Sequence, residues 1–99
     1  MVKTSEEIKR KREELVERLK ERYVALNPLD IGKGGYDNNA RIYYTEIYAN
    51  IFVNVDGYTL AMWHKGKQIC WHRQMNENEL YVWLDQYIER KKMEQLALF

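Results

Sequence analysis

The sequence is short of the residues that would commit it to a covalent or metal-held scaffold. Its one cysteine, Cys70, cannot form an intramolecular disulfide, which fits a reducing compartment. Its two histidines, His64 and His72, fall well below the about four ligands of a structural zinc site. No apolar run approaches the ~18–20 residues of a membrane span. The opening stretch, MVKTSEEIKRKREELVERLK, has no apolar h-region, so no secretory signal is expected. Charge of one sign is not in excess either. With 16 Lys+Arg against 15 Asp+Glu the net charge is +1, so no bulk attraction to nucleic acid or anionic membrane is expected. Nucleic-acid binding would need charge segregated onto one face. A cytoplasmic protein without cofactor or metal is the expectation.

Aromatic rings, in contrast, are plentiful. They make up 13% of the chain, with eight Tyr and three Trp. That exceeds what a small core needs and points to a contact surface. Ninety-nine residues form one domain with a modest core. The expected division is a folded unit over residues 1–94 and a C-terminal tail over 95–99.

Residues 4–26 carry a helical stripe of Ile8, Leu15, Val16, Leu19, Tyr23 and Leu26. Thr4 and Glu7 have capping-box spacing. Lys11 and Arg12 interrupt the stripe, so the first turns should pack loosely. The Lys9–Arg12 run, followed by Glu13 and Glu14, reads as a solvated face rather than a nucleic-acid contact. Asn27-Pro28 should end the helix. The following LDIGKGGYDNN reads as a loop, since its Gly-Lys-Gly-Gly lacks the spacing and the preceding strand of a phosphate-binding loop.

Residues 41–73 read as a three-stranded antiparallel meander. Asp56-Gly57 signals a two-residue type I′ turn, pairing Val55 with Tyr58, Val53 with Leu60 and Ile51 with Met62. A second turn at Lys65-Gly66 pairs Met62 with Ile69 and Leu60 with Trp71. The two registers agree on a core face of Ile51, Val53, Val55, Tyr58, Leu60, Met62, Ile69 and Trp71. Asn50, Phe52, Asn54, Thr59, Ala61, Trp63, Gln68, Cys70 and His72 fall on the other. Residues 40–50 fit a helical stripe as well, but their β-branched and aromatic content favours strand.

Residues 77–94 carry a second stripe, Leu80, Trp83, Leu84, Tyr87 and Ile88, capped by Asn76 with Glu79 three residues on. The expected fold is α+β, with two helices packed on one face of a three-stranded antiparallel sheet in the order α-β-β-β-α.

Little in this sequence converges for catalysis. Cys70 and His72 share a strand face by period two, which suits a thiol–imidazole pair or half a metal site, but nothing supplies the remaining groups. Ordinary sheet residues are the simpler reading, and no enzyme is expected. Phe52, Trp63 and His72 on the mixed face outline a possible second partner surface, for a protein or for a homodimer. Shielding of Trp63 by the glycine-rich loop is the alternative. Base stacking there would lack a cluster of Lys or Arg.

The chain closes on Gln95-Leu96-Ala97-Leu98-Phe99. The helical stripe would next call for Lys91, Glu94 or Gln95, so Leu96, Leu98 and Phe99 are out of phase with it. Ile88, Leu96 and Phe99 can still share a side. This pentapeptide resembles the bacterial sliding-clamp-binding motif, Q-L-[SD]-L-F, with Ala97 as the single departure. The resemblance covers these five residues only. It implies docking on the β clamp of DNA polymerase III as an extended peptide. Gln95 would enter a polar pocket, Leu96 would rest on the surface, and Leu98 and Phe99 would fill an apolar one. Ala97 removes a possible side-chain hydrogen bond. The expected function is then a non-enzymatic accessory factor of bacterial, phage or mobile-element origin, whose domain engages DNA, a polymerase or another partner, or simply blocks the clamp. The alternative is a small inhibitor or anti-defence (anti-CRISPR-like) protein that covers a target surface, with the tail structural.

Overall fold

The computed structural model describes the backbone of residues 2–23 and 30–97, and side chains over 6–23 and 30–88. In chain order the elements are α1 (Val2–Arg22), β1 (Asp30–Lys33), β2 (Asn39–Tyr44), β3 (Ile47–Asn54), β4 (Gly57–His64), β5 (Lys67–Met75) and α2 (Glu77–Ala97). The strands form one sheet in the order β1-β2-β3-β4-β5, with every neighbour antiparallel. The α+β class stands, but the sheet has five strands where three were expected.

Two local events account for the extra strands. The segment expected as a long first strand folds back at Thr45-Glu46, pairing Tyr44 with Ile47. Thr45 has φ of 55°. A β-branched residue seldom adopts that conformation, so turn composition gave no sign of it. Its hydroxyl donates to the Tyr44 carbonyl at 2.6 Å. The second event is Asp30–Lys33, expected as loop, which pairs along β2 as an edge strand. Ile31 there is buried opposite Ile42, and an edge tolerates Gly32.

The hairpin registers also differ from expectation. Around the first turn Asn54 pairs with Gly57 and Val53 with Tyr58, so the loop is Val55-Asp56 and Val55 is 69% exposed rather than in the core. Gly57 belongs to the strand because its neighbour demands glycine. A Cβ there would lie 2.8 Å from the Met75 carbonyl oxygen. The Lys65-Gly66 turn forms in the expected register, with His64 opposite Lys67 and Trp63 opposite Gln68. Immediately afterwards Ile69 is an extra residue, and Met62 faces Cys70. A bulge of one residue reverses every following side chain. Cys70 and His72 therefore turn to the core face and Trp71 away from it. A second irregularity, at Gln74 (φ 56°), brings Met75 opposite Tyr58.

Both helices pack on the same face. α1 lies over β1, β2 and β3, and α2 over β4 and β5. Leu15, Val16 and Leu19 from α1, with Tyr23 just past its end, join Leu80, Leu84 and Ile88 from α2 above Ile42, Tyr44, Ala49, Ile51, Val53, Leu60 and Met62. Each fully buried aliphatic contributes roughly 1.5–3 kcal/mol. The α2 cap forms as expected: the Asn76 side chain accepts from the Glu79 amide at 2.8 Å, and Glu79 accepts from the Asn76 amide at 3.0 Å. α1 begins at Val2, so Thr4 lies inside the helix rather than capping it. The expected helix end at Asn27-Pro28 lies outside the described residues. α2 continues three residues beyond the expected boundary, to Ala97.

Arg12, expected to loosen α1, is 3% exposed. Its guanidinium donates to the carbonyls of Tyr36 and Asn39, both at 3.1 Å, tying α1 to the β1–β2 connection. Between the helices runs a polar seam. Arg18 donates twice to Glu77, which also accepts from the hydroxyls of Tyr58 and Tyr81. One helical turn on, Arg22 donates twice to Asp85, which accepts from Tyr23 as well.

Candidate functional site

With both helices on one side, the opposite face of the sheet is left without a helical cover, and strand alternation decides what it shows. Tyr43 pairs with Tyr48, and Tyr48 with Trp63, so three rings cross three strands in a row. Their centroids are 4.6 and 5.5 Å apart. Tyr43 is 43% exposed, and Tyr48 and Trp63 are half-buried against each other. Burial and the neighbouring Tyr43 hydroxyl push the Tyr48 phenol above its ordinary pKa.

The next row reads Arg41, Asn50, Ala61, Trp71. Ala61 is the small member, and Trp71 beside it is 52% exposed. Two residues from each outer ring stands an arginine on the same face. The Arg41 guanidinium lies 5.6 Å from the Tyr43 ring centroid, and that of Arg73 lies 4.5 Å from Trp71. Such stacking places a planar cation beside a π-face. Phe52 closes the far corner opposite Thr59, with the loop residue Tyr36 at 6.5 Å. The glycine-rich loop thus reaches Phe52, while Trp63 packs on Tyr48.

Of the three residues expected to share a second partner surface, Phe52 and Trp63 do lie on this face. His72 does not. The bulge turns it toward α2, where its ring lies 4.3 Å from that of Trp83. Cys70 faces Met62 in the core, and burial pushes its thiol pKa up, away from nucleophilic use. His64 sits at the other end of β4, its Nε2 3.6 Å from Glu46. Among the described residues no group of three or more His, Cys, Asp or Glu could hold a metal ion, and no helix is long and apolar enough to cross a membrane. A groove of about 650 Å³ between α1 and β1 mixes Glu13, Glu14 and Glu17 with Arg10, Lys20 and Lys33.

Arg41, Tyr43, Tyr48, Trp71 and Arg73 were not anticipated as site residues. A signal for the last pair was present. Trp71 and Arg73 share a face by period two, and a core face would not accept the arginine. Of the pentapeptide, the backbone of Gln95, Leu96 and Ala97 continues α2. Leu98 and Phe99 lie outside the described residues. The chain matches no family model, no curated protein and no solved structure.

Proposed function

We propose that this chain is a non-enzymatic binding protein with two contact surfaces: the aromatic outer face of the sheet, and the Gln95–Phe99 peptide as a dock for the bacterial β sliding clamp. One observation carries the first part. The two helices cover one sheet face only, and the face they leave displays Tyr43, Tyr48, Trp63 and Trp71 with two stacked arginines. Aromatic and arginine side chains are the types that dominate binding energy at interfaces. The second part rests on the peptide's resemblance to the clamp motif. Because Gln95–Ala97 continue α2, docking as an extended peptide unwinds the last helical turn, which is an inexpensive change at a helix end. The single thiol fits action in the cytoplasm.

Calorimetry with purified β clamp tests the tail, comparing the full chain with a deletion of residues 95–99. Binding by the full chain that vanishes in the deletion is expected. Equal binding, or none by either, removes the clamp from the proposal. The open face also favours a second reading, a small inhibitor that covers a target surface with those rings. Target binding would then survive the deletion and fail in Trp71→Ala.

A further inference from the structure

We infer that the outer sheet face binds single-stranded nucleic acid by stacking bases on its rings, an inference that rests on the reading of this face as a partner surface. Three features of the face point to this occupant.

The first is the spacing of the rings. Tyr43, Tyr48 and Trp63 form a row across the strands, and Trp71 lies one diagonal step from Trp63, about 7–8 Å along the sheet. An unpaired strand can lay successive bases on such steps, whereas the stacked bases of a duplex are closed to them. The second is charge. Among the described strand residues, the face carries Arg41 and Arg73, and its acid is Asp30 at the β1 edge, opposite Tyr43. Each arginine is stacked on a ring, so one spot offers a π-face to a base and a cation to its phosphate. Two cations against one acid leave a surplus of positive charge beside the rings. The third is shape. Among the described residues, this sheet face has no protruding helix or ribbon to enter a major groove. A second copy of the chain fits worse, because a face-to-face dimer sets the same arginines against each other.

Stacking reads the π-face that every base has and ignores the sugar, so DNA and RNA strands should bind alike. Two arginines neutralise about two phosphates, which sets a shallow slope of about −1.4 in log K against log salt.

The test is fluorescence anisotropy with the full chain, using labelled oligo-dT, oligo-U and a duplex of equal length. The two strands should bind within about tenfold of each other, and the duplex at least about tenfold more weakly. Trp71→Ala should weaken strand binding by about tenfold or more. Tyr43→Ala provides a second variant on another strand, and Arg73→Gln should flatten the salt slope by about one half. Val82→Ser, on an exposed position of α2, should change nothing. Circular dichroism confirms that each variant is folded. Absence of strand binding by the wild type overturns the inference. So does binding that both ring variants leave intact, or a salt slope several times steeper. Self-association that Trp71→Ala abolishes, without strand binding, makes a second copy the occupant and equally overturns it. Clamp binding without strand binding sinks this inference alone, and strand binding that survives deletion of 95–99 sustains it whatever the clamp measurement gives.

Discussion

Arg18 of α1 grips Glu77 in the first turn of α2 through two parallel hydrogen bonds, Nε to Oε2 at 2.9 Å and Nη2 to Oε1 at 2.7 Å. The partners are 59 residues apart in sequence, and the bridge joins the two helices above the sheet. Glu77 also accepts from Tyr58 and Tyr81, so the two ends of the bridge are unequal. Arg18→Ala removes a partly exposed ion pair and should cost up to about 1 kcal/mol. Glu77→Ala leaves two tyrosine hydroxyls without their acceptor and should cost more, about 1–3 kcal/mol. Urea unfolding of both variants checks the order. Equal losses would mean that the tyrosines draw nothing from the carboxylate.

The seam predicts a stability plateau bounded on both sides by pH. Burial alone would raise the pKa of Glu77, but hydrogen bonds from Tyr81, Arg18 and Tyr58 outweigh it and hold the group below the usual carboxylate range. Asp85 is held down in the same way, against burial, by Arg22 and Tyr23. A depressed carboxylate stabilises the fold fully above its unfolded value, near about 4, and the contribution is lost as pH falls through the folded value. The tyrosines act at the other end. Burial first, then the adjacent carboxylates, raise Tyr23, Tyr58 and Tyr81, with Tyr58 reaching about 12. Their contribution is complete below about 10 and fades as pH climbs through the folded values. The urea midpoint should be flat between about pH 5 and 9 and fall on either side. Glu77→Gln with Asp85→Asn should flatten the acid limb, and an unchanged limb would place its cause elsewhere.

Arg12 predicts a link between α1 and the β1–β2 connection. Arg12→Ala removes the donor from two carbonyls and opens a void in a buried site. A loss of about 2–3 kcal/mol is expected. Hydrogen exchange should show faster protons over residues 34–39, including the Gly34 amide that donates to the Asn39 carbonyl at 2.7 Å. Uniform acceleration with no local excess at these residues would refute the link.

The bulge in β5 predicts opposite fates for adjacent side chains. Cys70 is buried and its thiol pKa is raised, whereas Trp71 is half-exposed. A thiol reagent should label the native protein at least about tenfold more slowly than the urea-unfolded chain. Rapid native labelling would return Cys70 to the outer face and dissolve the aromatic site with it.

Much of this molecule was legible from residue order. The amphipathic stripes located both helices, the Asn76–Glu79 spacing located a cap, and alternation assigned Ile51, Val53, Leu60 and Met62 to the core. Three things were hidden, each for a physical reason. The turn at Thr45-Glu46 places a β-branched residue at positive φ, contrary to turn preference. β1 holds only four residues and one buried side chain, too few for a periodic signal. The bulge at Ile69 is fixed by how β5 meets β4, a tertiary fit that no single segment encodes. Trp71 and Arg73 were concealed by that bulge, since the phase of β5 decides whether Trp71 or Cys70 faces outward.

Ile69 consequently works as a reading-frame shift within a strand. The Lys65-Gly66 turn sets one frame, and everything after Ile69 is read in the other. Pairing Ile69 into the ladder opposite Met62 would exchange Trp71 and Arg73 for Cys70 and His72 on the open face, whereas deleting Ile69 would close the bulge and leave all four where they are. The chemistry of the open face is held by which residue the ladder leaves unpaired as much as by the kinds of residue in the strand.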